Sequence, residues 1–258
     1  MPTTNDSHDT RKHILRLDNV NKSYIIGRNE VPVLHDANMH IYPREYTILY
    51  GPSGSGKSTL MNTMIGLEAP TTGTVYINGR DISKMQDDDR AKYRNENIGV
   101  VYQQSFWVKT LSVIENVALP LMIGGRDESY ALARATYALS QVGMGDFAKR
   151  SPLQLSGGQQ QKVSIARALV SDPSIIMTDE PTGNLDTTSS DDIIKLLTGL
   201  VLNYGRTVVM VTHELRFLRL ADRAYLIRDG YIQKHYDKVQ LTELLKDFKQ
   251  TLTLEDAS

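Results

Sequence analysis

The 258-residue chain contains no cysteine. That excludes disulfides, thiol catalysis and cysteine-ligated metal, and it fits a protein of the reducing cytoplasm. Long apolar runs are missing too. The best, Val117–Ile123, contains Pro120 and is far short of the ~20 residues that span a bilayer. Met1–Lys12 is polar and lacks the apolar centre of a secretory signal, so residues 1–12 are expected to be a disordered tail. Neither sign of charge is in excess: 29 Lys and Arg face 30 Asp and Glu, for a net charge of −1. This gives no general nucleic-acid surface, and no nucleic-acid partner is expected. There are no internal repeats and no low-complexity block, and Trp107 is the single tryptophan. What the chain does have is 40% apolar residues, at a length that can bury one large α/β domain or a domain with a subdomain.

Periodicity orders the elements. Ile14–Val20 and Ser23–Ile26 read as strands. Glu45–Tyr50 is an apolar, β-prone run entering a glycine-rich loop, after which Lys57–Ile65 reads as a helix. Thr74–Ile77 followed by Asn78-Gly79 is a strand and turn, and Ile98–Tyr102 a short buried strand. Val113–Leu121, Glu128–Val142 and Gly157–Ser171 carry helical spacing, so a mostly helical insert is expected over about residues 104–170. Strand Ser174–Thr178, helix Ser189–Leu202, strands Thr207–Thr212 and Ala224–Ile227, and helix Leu241–Phe248 follow. Strands alternating with helices imply an α/β fold on a largely parallel sheet covered on both faces. Residues 13–250 are expected to form a single domain, and 251–258 a flexible acidic tail.

Gly51-Pro52-Ser53-Gly54-Ser55-Gly56-Lys57-Ser58, with Thr59 next, is a complete G-x-x-x-x-G-K-[ST] loop. Glycines 51, 54 and 56 allow backbone conformations and an approach to phosphate that a Cβ would forbid. The amides then face phosphate oxygens at a helix N-terminus. Lys57 is expected to reach the β- and γ-phosphates, and the Ser58 hydroxyl to sit on Mg²⁺. Ser174–Thr178 ends in two carboxylates: Asp179 suits the far side of the same metal, and Glu180 a general base that polarises water. Ser156-Gly157-Gly158-Gln159 opens a second helix with an N-cap residue and two glycines. The chain therefore owns two phosphate-suited helix ends. If each nucleotide needs one of each kind, two copies must pair head to tail.

These motifs, with Leu155-Ser-Gly-Gly-Gln159 foremost, identify the chain as similar to the nucleotide-binding subunits of ABC transporters over roughly residues 14–234. The resemblance implies a P-loop NTPase of the ABC ATPase fold: a RecA-like mixed, largely parallel sheet with N-terminal antiparallel strands and an inserted helical subdomain. It implies ATP and Mg²⁺ as cofactors, with Tyr24 stacking on adenine. It further implies Gln103 contacting Mg²⁺ and water, Asp186 in the loop that crosses the dimer interface, and His213 holding the γ-phosphate. Ser156, Gly158 and Gln159 would serve the partner's nucleotide in trans.

Asp179-Glu-Pro-Thr-Gly-Asn-Leu-Asp186, Leu155–Gln161 and Val113–Leu121 resemble the MacB and lipoprotein-releasing group. Those ATPases pair with an integral-membrane permease bearing an extracytoplasmic domain. The implied role is efflux, lipoprotein release or mechanotransmission, from a peripheral position on the cytoplasmic face of the cell membrane. The alternative is a division-type regulatory ATPase that signals without transport. The chain departs from the group at Lys162, Thr178 and Glu214, where arginine, alanine and aspartate are usual. Phe106 and Trp107 are either part of the permease-docking surface or packed inside the helical insert.

Overall fold

The computed structural model describes residues 12–255, and side chains through residue 246. The chain opens with a hairpin of β1 (Leu15–Ile26) and β2 (Asn29–Ile41). The sequence predicts two strands where β1 is one. Register shifts between Leu17 and Val20 and around Lys22 interrupt the alternation without ending the pairing. β3 (Tyr46–Tyr50) leads through the glycine loop into α1 (Lys57–Met64). β4 (Thr72–Ile77) and the two-residue β5 (Arg80–Asp81) complete an antiparallel sheet of order β2-β1-β4-β5.

After α2 (Asp87–Asn97) and β6 (Ile98–Val101) comes the helical insert of α3 (Val113–Ile123), α4 (Glu128–Gln141) and α5 (Gly157–Leu169). β7 (Ile175–Asp179), α6 (Thr187–Tyr204), β8 (Thr207–Thr212), β9 (Arg223–Arg228), β10 (Tyr231–Asp237) and α7 (Lys238–Glu255) follow. α7 runs past Phe248 to Glu255, so it takes in part of the stretch 251–258 expected as a tail. The last three residues, and residues 1–11 of the expected N-terminal tail, lie outside the described residues. Among the described residues no helix is long and apolar enough to cross a membrane.

The second sheet has the order β10-β9-β3-β8-β7-β6. Its pairs are parallel except β9 with β10. β3, β7 and β8 are apolar on both faces because both faces are covered. Ile48, Ile176 and Met210 enter one core with α3, α4, α5 and α6. Leu49, Met177, Val209 and Val211 enter another, shared with α1 and the antiparallel sheet. Alternate side chains of a single strand thus bind three layers into one body. Because β3, β7 and β8 are parallel neighbours, their carboxyl ends emerge at one edge. That edge carries Gly51, Glu180 and His213.

Candidate functional site

The loop after β3 is held against β9 so closely that a Cβ on Gly51 would lie 2.0 Å from the Ile227 carbonyl oxygen. Only glycine lets the chain turn there. α1 then starts at Gly56, in left-handed conformation, with no side chain capping its first amides. The donors at this helix end are therefore left for a ligand. Lys57 Nζ curls back to donate to the carbonyls of Gly51 (3.0 Å) and Pro52 (2.7 Å). Burial pushes its pKa below the ordinary lysine range, opposed by the nearby Glu180 and Asp179 carboxylates. Ser55 Oγ is buried without a hydrogen-bond partner.

Across from the lysine, Asp179 ends β7. Burial raises its pKa above the usual carboxylate range, against a hydrogen bond from Ser58 and the charge of Lys57. Its Oδ1 is buried with no partner. Glu180, one residue on, has φ 47°, a strained conformation for a residue with a Cβ. Its amide donates to the Val211 carbonyl (2.9 Å) and its carbonyl accepts from the Gly183 amide (3.1 Å). Its carboxylate meets His213, whose Nδ1 lies 2.7 Å from Oε2. Gln103 belongs to the same neighbourhood: a Cβ on Gly183 would meet its Nε2 at 2.9 Å.

Tyr24 stands beside α1, bonded to Thr59 and donating its hydroxyl to Glu68 Oε2 at 2.6 Å. Lys22 pairs with the same carboxylate (3.3 Å) and lies 5.1 Å from the tyrosine ring centroid. Lys22 and Glu68 escape sequence reasoning, because 44 residues separate Tyr24 from Glu68 and no local pattern joins them.

The Ser156 helix end is built differently. Ser156 Oγ accepts from the Gln159 amide (3.3 Å), and Gln159 Oε1 accepts from the Ser156 amide (3.0 Å), a closed capping box. A Cβ on Gly158 would meet Ser189 Oγ at 2.9 Å, and one on Gly157 the Leu185 side chain at 3.3 Å. Asp186 caps α6 by accepting from the Ser189 amide (2.9 Å) and hydroxyl (2.7 Å). Those bonds hold its carboxyl below the usual range. The structure thus brings together Tyr24, Gly51–Thr59, Gln103, Asp179, Glu180 and His213. Ser156–Gln159 and Asp186 gather at a second place. Among the described residues, no hydrogen bond joins the two groups.

The departures at Lys162 and Glu214 have local partners. Lys162 pairs with Asp192 on α6 (3.2 Å), and Glu214 accepts from Thr182 (2.8 Å) and Arg216 (2.7 Å). Thr178 Oγ1 is buried without a partner. Trp107 packs partly buried against the insert core and donates to Gln160 Oε1 (2.9 Å), whereas Phe106 is 70% exposed. The packed reading therefore holds for Trp107 and not for Phe106, which stays at the surface.

Comparison with known proteins agrees with this geometry. Residues 34–183 match the family described as ABC transporter. An ABC transporter ATP-binding protein of Methanocaldococcus jannaschii is 44% identical over 87% of this chain and 100% of its own length. The lipoprotein-releasing system ATP-binding protein LolD of Shewanella frigidimarina is 38% identical over 87% of this chain and 94% of its own. The macrolide export ATP-binding/permease protein MacB of Syntrophobacter fumaroxidans is 39% identical over 85% of this chain and 31% of its own. Among solved structures, the dimeric post-hydrolysis state of the cassette MJ0796 with ADP and Pi superposes with a TM-score of 0.79. It is 38% identical over 86% of this chain and 98% of that one.

Proposed function

The chain belongs to the ABC transporter family of ATP-hydrolysing cassettes, and from that premise we propose how it hydrolyses ATP and what it drives. Two copies close head to tail around two ATP molecules, each nucleotide lying between the Gly51–Ser58 loop of one copy and Ser156–Gln159 of the other. The observation that carries this reading is the separation of two complementary half-sites within one chain, an uncapped α1 terminus and a self-capped α5 terminus. The dimer of MJ0796 with ADP and Pi supports it.

Within each site, Lys57 leaves the Gly51 and Pro52 carbonyls to hold the β- and γ-phosphates, and His213 holds the γ-phosphate. Glu180 takes the proton of the attacking water, and Tyr24 stacks on adenine. Mg²⁺ fits the residues present: the Ser58 hydroxyl, the Gln103 amide oxygen and the unpartnered Asp179 Oδ1 are all hard oxygen donors. Among the described residues no three carboxylates or imidazoles cluster to hold a metal, which suits an ion that arrives with phosphate oxygens. When bound, Mg²⁺ neutralises charge on the β- and γ-phosphates. Closure drives a separate membrane permease of the MacB and lipoprotein-releasing kind, holding the chain on the inner face of the cell membrane.

Mixing two inactive variants tests the trans arrangement. Lys57→Ala breaks one half-site and Ser156→Arg the other, so each alone is inactive. Their heterodimer contains one site with both halves intact, and hydrolysis is expected to return on mixing. A mixture as inactive as its parents would place both halves in one chain and sink the proposal.

A further inference from the structure

The last residue before the phosphate loop is a tyrosine that the site described above does not use. Tyr50 is 8% exposed and lies on the face of β3 that Ile48 turns to the helical core. It pairs with Thr212 of β8 on one side and Leu226 of β9 on the other. Burial pushes its pKa up to about 12, and a hydrogen bond with the Tyr236 hydroxyl adds to the rise. Tyr236 stands on β10, one strand beyond β9, opposite the buried Ala224. The small side chain of Ala224 leaves room over β9 for the two phenols to meet. A buried hydroxyl stripped of its partner costs more than the bond gives, so Tyr236 also fixes where the Tyr50 ring lies.

The pair is tied to His213 from both flanks. Thr212, the register partner of Tyr50, is buried and shares its face, as Val208 and Met210 do before it. Thr212 Oγ1 accepts from the Glu214 amide (3.1 Å), closing the turn in which His213 sits. Beyond that turn, the short helix Leu215–Leu220 sends Phe217 and Leu218 into the same core as Leu241 of α7. α7 in turn follows directly on β10. The C-terminal β10–α7 unit thus braces the histidine turn through Tyr236 and Tyr50 on one side and through Leu241 on the other.

We propose that Tyr50 and Tyr236 are positioning residues for His213: their bond fixes the wall against which the His213 turn closes, and so sets its grip on the γ-phosphate. The inference rests on the γ-phosphate role of His213 given above and adds what holds that histidine in place.

The test compares the affinities of the non-hydrolysable ATP analogue AMP-PNP and of ADP by calorimetry, both with Mg²⁺. The full chain carries Ser156→Arg throughout, so that each titration reads one half-site without closure of a dimer. The preference for AMP-PNP over ADP then measures the grip on the γ-phosphate. Tyr236→Phe is expected to cut that preference by about fivefold, the scale of one neutral hydrogen bond, while ADP binds as before. Tyr50→Phe should do the same, and the two together no more than either. In His213→Ala the preference is already lost, and adding Tyr236→Phe should change nothing further. AMP-PNP and ADP weakening together would mark a merely structural bond and overturn the proposal. So would a preference unchanged in both phenylalanine variants, or a Tyr236→Phe effect that persists in His213→Ala. A full preference in His213→Ala removes the γ-phosphate role itself. Its loss there, with both phenylalanine variants unchanged, removes only the positioning pair.

Discussion

Two helix ends in this molecule look alike in sequence and differ in chemistry. α1 begins at Gly56 with no side-chain cap, a lysine folded onto its own loop and, opposite, a carboxylate with one oxygen unpartnered. α5 begins with Ser156 and Gln159 satisfying each other's amides, over a glycine packed on Ser189. An uncapped end gives up local stability and keeps its donors for a ligand. A capped end holds its shape without one and can present a preformed surface, with the Ser156 O–H still free to donate. In the proposed arrangement the first is a binding site within one chain, and the second becomes one only when another chain brings a nucleotide.

This contrast is sharpest when one residue at each end is removed. Lys57→Ala should abolish measurable nucleotide binding and turnover with it, a loss of at least about 10²-fold, the scale of losing one preorganised charge. Thermal unfolding without nucleotide should barely change, because a partly desolvated cation has been removed. Nucleotide titration and calorimetry check both halves.

The α/β fold and the order of most of its elements were legible in the sequence. Glycine loop, acidic pair and capping residues are local patterns, and the structure places each at the end of a strand or helix. The elements that escaped lack a local pattern. β2 alternates cleanly only from Ala37 to Ile41, because a bulge at Asp36 (φ 42°) shifts it out of step with Leu34. α2 buries none of its residues and so writes no apolar stripe. β10 is an edge strand with no fully buried residue. Trp107 and Phe106 could not be told apart from sequence, since what separates them is a bond to Gln160, 53 residues away.

Tyr24→Ala should weaken ATP binding by about tenfold, the lower part of the range for base–aromatic stacking, while Tyr24→Phe, which keeps the ring and loses only the hydroxyl's bonds to Glu68 and Thr59, should bind nearly as wild type. Fluorescent-nucleotide competition separates them. At the other helix end, Ser156→Ala should cost about 1 kcal/mol of stability without nucleotide, the usual loss for an N-cap, and leave monomeric ATP binding unchanged. Denaturant unfolding and nucleotide titration read the two effects separately. If Ser156→Ala weakened ATP binding by the monomer, the division between the two ends would fail.

The smallest effect is a stability change that depends on pH. The fold raises the pKa of Asp179, mainly by burial, so the native state holds its proton more tightly than the unfolded chain. Its stabilising contribution is complete below the ordinary carboxylate pKa and is lost as pH rises through the raised value. Asp179→Asn should therefore melt above wild type at neutral pH in the absence of nucleotide, with the gap closing toward acid pH. Melting curves at pH 3.5 and pH 7 would check it.

The central claim is that each catalytic site is shared between two chains. Glu180→Gln removes the proposed base while leaving every phosphate contact, so its ATP complex should persist. The decisive measurement is the solution mass of that variant with and without Mg·ATP. The account predicts a monomer that becomes a dimer when ATP is added and returns to monomer when Ser156→Arg is added to the same chain. A species that binds ATP and stays monomeric at every concentration would contradict it.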